Sequence, residues 1–316
     1  MSVVATIVMY HFVHPRGRGP VAGLKAIDVD AFREQLAYIR RHYTPVPLLD
    51  LMRSVEDRSA LPPRPIALTF DDGYRGHHEH VLPILVEQAL PATFFLVSSA
   101  LIDRRVLDVN KIHCLLASTS EISRLVDAIE GETPSIAELR AAWWKPTRWD
   151  PAEVTYVKRL LQHALPESIR RPLVDRLFRD LVTTDEAAFA DELYMSVADA
   201  RDLRDAGMTI GAHGDRHVRL TTLSREEQAI EIDGALRVLD VVGASTDRFA
   251  YSYANGEHDR NSVDLLRARG CGIAVTNRAD LARVTAADLL TMPRLDVNDL
   301  PMRSDAAPNE WTRRAP

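Results

Sequence analysis

Three groups of polar residues in this chain have the types and spacing that chemistry needs. The first is Thr69-Phe70-Asp71-Asp72-Gly73, at the end of the apolar run Ile66 to Phe70. Adjacent carboxylates at a strand end point in different directions, so one can hold a metal ion while the other faces a reactant. Gly73 lets the backbone turn sharply behind them. A plain turn that caps the next helix uses the same residues. The second group is His213-Gly214-Asp215-Arg216-His217, after the run Met208 to Ala212. Two histidines four residues apart can converge on one ion, and a carboxylate completes the two-histidine, one-carboxylate set of a catalytic zinc or similar ion. A histidine pair alone is more often structural; together with Asp72 at another strand end it points to a metal. The third group, Arg248 to Gly256, reads by itself only as a strand ending in a turn. Gly76-His77-His78-Glu79-His80 lacks the H-E-x-x-H spacing and reads as a polar helix start. His113 has residue chemistry but no sequence geometry.

The elements that must position these groups follow from pattern. Short apolar runs recur, each followed by residues at helical spacing: Val3 to Tyr10, Ile66 to Phe70, Ala92 to Val97, Met208 to Ala212, Phe249 to Tyr253, Cys271 to Thr276 and Met292 to Val297. Asp30 is a candidate N-cap for the first helix, and Ser196 with Asp199 and Ser224 with Glu227 spell capping boxes. Repeated strand–helix units imply parallel strands with helices outside, and some seven strands favour a closed or nearly closed barrel over an open sheet. Residues 101–195 lack strand-like runs and are cut by five prolines, which predicts a helical insertion, a lid or substrate collar, with Trp143, Trp144 and Trp149 in its own core or, alternatively, stacking on substrate. The expected division is therefore a barrel over 1–100 and 196–302, the insertion over 101–195, and a polar tail over 303–316.

Composition bounds the rest. The 316 residues carry 45 acidic and 39 basic side chains, a net charge of −6, which argues against a coat for nucleic acid. A hydrophobic content of 46% is that of a folded chain. Cys114 and Cys271 are far apart and suit a reducing compartment. The start MSVVATIVMYHFVHP has no basic leader region, and no run approaches the ~20 apolar residues of a membrane span. A cytoplasmic protein is expected, with no membrane span. The oligomeric state is not legible.

Taken together, the motifs resemble the polysaccharide deacetylase family, metal-dependent N-deacylases with NodB homology, similar to carbohydrate esterase family 4. TFDDG at 69–73 matches the family's first motif, His213 and His217 its H-x-x-x-H motif, and FAYSYAN at 249–255 looks like its F-A-Y-P-Y-G. MYHFV at 9–13, LPATFF at 90–95 and MPRLDV at 292–297 agree. The resemblance implies an α/β fold, a distorted (β/α)7 barrel with one divalent ion, Zn2+ first and Co2+, Ni2+ or Mn2+ as substitutes. It makes Asp71 the general base, Asp72, His213 and His217 the metal ligands, and the Tyr253 N–H an oxyanion donor. Ser252 and Ala254 replace the Pro and Gly of the third motif. Ala250 stands where the family carries an Arg that pairs with the base, and Arg294 is the candidate to supply that charge. Arg294 and Asp296 are also expected to face substrate. The family's late L-x-H motif, whose His is the general acid, has no match; His11 is the substitute, with His258 behind it. The implied reaction removes an N-acetyl or N-formyl group from a carbohydrate, and the expected cytoplasmic setting narrows this to a small nucleotide- or lipid-linked amino sugar rather than a wall polymer. The alternatives are hydrolysis of a non-sugar cyclic amide on the same barrel, or a barrel that binds sugar without turnover.

Overall fold

Strands buried on both faces read as continuous apolar runs, and that is how this chain builds its sheet. The computed structural model describes residues 3–15, 17, 23–119, 122–132, 137–147 and 150–315. Among these, nine strands form one sheet: β1 (Val3–Tyr10), β2 (Thr44–Pro45), β3 (Pro65–Phe70), β4 (Ala92–Leu96), β5 (Thr209–Ala212), β6 (Ala250–Ser252), β7 (Ile273–Val275), β8 (Ala282–Val284) and β9 (Leu295–Asp296). The order is β7-β6-β5-β4-β3-β1-β8, with β2 on β3 and β9 on β1. The β1–β8 pair is antiparallel and the other pairs are parallel. Val275 bridges to Met292, and β9 then pairs with Val8 and Met9, so the sheet curls back toward its start as a distorted barrel. The α/β barrel expected from strand–helix alternation is the fold observed. The short strands β2 and β8 fall outside the seven runs, being too brief to show a period.

Alternation along each strand divides two apolar clusters. Val8, Tyr10, Leu68, Phe70, Phe94 and Tyr251 face the helices that surround the sheet. Ile7, Ala67, Phe95, Ala250, Ile273 and Val275 face the other way and pack on one another. A Cβ on Gly211 would come within 2.6 Å of the Phe95 ring, so glycine there gives the ring its room. Continuing the period past Ala67 and Thr69 puts Asp71 on the same face as Phe95.

The chain divides into two compact units. One takes Met1–Arg16, Ala26–Arg105 and Ala190–Pro316; the other takes Gly17–Lys25 and Val106–Phe189. The second unit is helical, with a core of Ile112, Leu115, Leu125, Ile129, Tyr156, Leu160 and Val174. Trp143 and Trp144 pack against that core, and Trp149 lies outside the described residues. Lys111, 1% exposed, pairs inside this unit with Asp175 and Glu186 beside the Phe178 ring.

Two expectations are corrected. The described part of the expected polar tail, 303–315, is anchored: Asn309 caps a short helix, Glu310–Arg314, whose buried Thr312 bonds the hydroxyls of Tyr38 and Tyr43. Two small buried residues, Thr312 and Ala315, among polar neighbours leave no apolar period to read. The first helix, Val29–His42, is capped by Asp28, which accepts the Asp30 N–H, rather than by Asp30. The capping boxes at Ser196 and Ser224 are both formed. No helix among the described residues is long and apolar enough to cross a membrane.

Candidate active site

The ends of β1, β3, β5, β6 and β9 carry the polar residues. Asp71 extends β3 by one ladder bond to the Tyr10 carbonyl, 2.9 Å. The chain then reverses through Asp72 and Gly73, with φ of 71° and 70°. A left-handed Asp is costly and persists only where its surroundings fix it. Here the Tyr74 hydroxyl donates to Asp72 Oδ2 at 2.8 Å. Oδ1 is left buried without a hydrogen-bond donor, and it lies 3.4 Å from His213 Nε2 and 3.5 Å from His217 Nε2.

Both histidines turn a ring nitrogen toward Asp72 Oδ1. His213 donates its Nδ1–H to the Ser252 carbonyl at 2.8 Å, which fixes the tautomer and leaves Nε2 as the free acceptor. His217 also sits in left-handed backbone, φ 58°. The ligating atoms of Asp72, His213 and His217 all lie within 4.8 Å of one another. An orphaned buried carboxylate oxygen facing two imidazole nitrogens fits a divalent cation. Burial works against charge on Asp72, yet His213 and His217 hold its carboxyl well below the usual range. Burial pushes His217 down to about 4, leaving it neutral at pH 7. His213 is also disfavoured by burial, but Asp71 and Asp72 outweigh that and raise its pKa.

Asp71 is 1% exposed and 3.8 Å from His213 Nε2. Arg294 grips it with two parallel bonds, 2.8 Å to Oδ1 and 2.7 Å to Oδ2. Burial alone would raise the Asp71 pKa; Arg294 and His213 overcome it and hold it at about 2. The remaining Arg294 donors go to the Thr276 carbonyl, Thr69 Oγ1 and Ser252 Oγ. That accounts for all five guanidinium N–H groups. The expected pairing of Arg294 with Asp71 is therefore present, while its expected contact with substrate is corrected: it is 1% exposed and has no donor left. Ser252 Oγ also reaches Asp71 Oδ2 at 3.3 Å, a contact that a Pro could not make.

Two further expectations change. The Tyr253 N–H donates to the Val275 carbonyl at 3.1 Å, and its hydroxyl to the Leu290 carbonyl. The β6–β7 ladder thus occupies the donor expected at an oxyanion. Asp296 Oδ1 caps the short turn after β9, accepting from the Asn298 N–H and side chain, so that oxygen is not turned to substrate. His11 lies within electrostatic reach of Asp71, Asp72 and His217. His258 is exposed, with its ring 5.2 Å from that of Tyr253. His113 belongs to the helix Asp108–Ser118 of the second unit.

Sequence reading passed over two supporting residues. Tyr74 directly follows TFDDG, and that adjacency was its only signal. His77, read as part of a polar helix start, is fully buried in a single π-helical turn, His77–Val81. It contacts the His11 carbonyl through Nε2 at 2.5 Å, and burial lowers its pKa to about 4. Its neighbour His78 is only part-buried and faces Asp199 and Asp202.

A distorted parallel barrel with a two-histidine, one-carboxylate cluster beside an arginine-held aspartate defines a class, the NodB-type barrels. The chain belongs to the polysaccharide deacetylase family, whose profile matches residues 58–131 and 185–274. It is similar over 75 residues, at 35% identity, to the poly-beta-1,6-N-acetyl-D-glucosamine N-deacetylase of Escherichia coli strain K12, a match spanning 23% of this chain and 11% of that protein. Among solved structures it resembles the Streptococcus pyogenes deacetylase PplD, with a TM-score of 0.58 at 16% identity over 95% of this chain and 94% of that one. IcaB from Ammonifex degensii gives the same TM-score and identity, over 100% and 97%. These likenesses are of fold.

Proposed function

We propose that the protein hydrolyses the N-acyl group of an amino sugar, with a divalent ion, Zn2+ first, held by Asp72, His213 and His217. The observation that carries this reading is Asp72 Oδ1, buried, without a donor and facing both Nε2 atoms. Such an ion polarises an acyl carbonyl and lowers the pKa of water. Asp71 is ionised at neutral pH and beside the ligands, placed to accept the proton of the attacking water. Arg294 and Ser252 keep its carboxylate oriented. His11 is the proton donor to the departing amine. An arginine-held base beside the cluster favours turnover over a barrel that only binds sugar.

The acyl group is acetyl or formyl. The substrate we favour is a small amino sugar on a nucleotide or lipid carrier, made in the cytoplasm, a setting that the unpaired Cys114 and Cys271 suit. The polymer named for the Escherichia coli relative is the competing arm. Purified protein with added Zn2+ is expected to release acetate or formate from one arm of an N-acylated sugar panel. Asp71→Asn is expected to slow that release by about 100-fold or more, the scale of a lost general base. No release from any sugar, with Asp71→Asn matching wild type, would contradict the proposal. Release from a cyclic amide alone would move the activity to a non-sugar substrate.

A further inference from the structure

The loop between His213 and His217 is bonded through four of its backbone groups. The carbonyls of Gly214 and Asp215 accept the N–H groups of Ser98 and Ser99, at 3.3 and 2.8 Å. The N–H groups of Asp215 and Arg216 both donate to one atom, Glu231 Oε1, at 3.0 and 2.7 Å. Glu231 Oε2 accepts from Arg216 Nε at 3.1 Å. Glu231 comes from the helix Arg225–Val242 and is 1% exposed, while its partner Arg216 is 40% exposed at the side chain. A buried carboxylate is costly unless its oxygens are taken up, and here Oε1 is taken up by two backbone N–H groups and Oε2 by Arg216.

What this clamp holds is a strained residue. His217 has φ 58°, next to the two amides that Glu231 binds. A left-handed non-glycine residue stays put only when its neighbours over-determine it. Gly214, φ 81°, lies at the other end of the turn, and a Cβ there would come within 3.2 Å of the same Glu231 oxygen. Among the described residues, no other side chain accepts from the Asp215 or Arg216 N–H.

We infer that Glu231 is a positioning residue for the metal site: its Oε1 sets the turn that carries His217 toward Asp72. This rests on the proposed metal-binding role of Asp72, His213 and His217. What matters is the acceptor at that distance, not the charge. Glu231→Gln keeps a carbonyl oxygen in place; Glu231→Asp keeps the charge but withdraws the acceptor by one methylene; Glu231→Ala removes both.

The test is Zn2+ affinity, read by competition with a chromophoric chelator, together with amide exchange of the 214–217 segment in metal-free protein. Wild type and Glu231→Gln should bind one Zn2+ with Kd values within about threefold. Glu231→Asp and Glu231→Ala should bind 10- to 100-fold more weakly, the usual effect of losing support behind a ligand. Their 214–217 amides should exchange faster while near-UV circular dichroism stays native. If Asp and Ala bind Zn2+ as wild type does, or Gln falls with them, the inference is overturned. The exchange result keeps the test decisive should the Ala variant unfold, because slow exchange in Glu231→Asp also overturns it. A wild type that binds no Zn2+ at all brings down the metal reading instead, and the inference with it.

Discussion

The Asp71–Arg294 pair concentrates the site's physics at the scale of single residues. Two charges lie together with 1% exposure each, which is tolerable only because the fork geometry fits and each remaining donor has an acceptor. Removing one partner strands the other. Arg294→Met should lower unfolding free energy by about 3–5 kcal/mol in urea at pH 7, the range for breaking a buried pair. The sign with pH follows from Asp71 being held at about 2, below the ordinary carboxylate value of 3.8. Its contribution is present above 3.8 and is lost as pH falls toward 2. In Arg294→Met, burial dominates, the carboxyl pKa rises, and the acid limb of any activity profile should move to higher pH. A variant as stable as wild type, with an unmoved acid limb, would show that the pair does neither job. Arg294→Lys should fall between, since an ammonium cannot make both parallel bonds.

At the scale of elements, the strand ends are where chemistry gathers, and the π-helical turn His77–Val81 is the least expected support. His77 packs among Phe70, Tyr74 and Phe94, and its ring contacts the His11 carbonyl. Its pKa is depressed to about 4 from 6.5, so it favours the folded state above pH 6.5 and that contribution is lost as pH falls toward 4. This should amount to about 3 kcal/mol by pH 4 for the metal-free protein. Glu, Asp and His groups elsewhere add their own slopes, so the readout is a difference: His77→Gln should unfold with a visibly shallower pH dependence between 6.5 and 4. Parallel curves would refute this assignment. The sequence disclosed the elements unevenly, for physical reasons. TFDDG and H-x-x-x-H were readable because each sets polar side chains at short spacing just past an apolar run, and buried parallel strands announce themselves as apolar runs. The Arg294 pairing was readable as a missing charge sought at a strand end. The Tyr253 N–H was not, because its partner is set by the register of β6 on β7, each only three residues long. Tyr74, His77 and Glu231 are single residues whose meaning exists only beside their neighbours in the fold, and Thr312 anchors a helix that composition presents as a tail.

At the scale of the whole molecule, the cluster exists only because the ends of β3 and β5, with β4 between them in the curled sheet, point their polar residues to one place. Asp72 and His217 are 145 positions apart in the chain, and much of that separation is the second helical unit, Val106–Phe189. Residues so distant have no local reason to converge, and their meeting around one orphaned oxygen is the observation on which the proposed cation site rests. Calorimetric titration of chelator-treated protein with Zn2+ reads the proposed metal site itself. One saturable site per chain is expected, lost in Asp72→Ala and in His213→Ala, with acyl release from the sugar substrate rising in step with occupancy. Absence of saturable binding, or full acyl release from protein kept in chelator, would contradict the proposal.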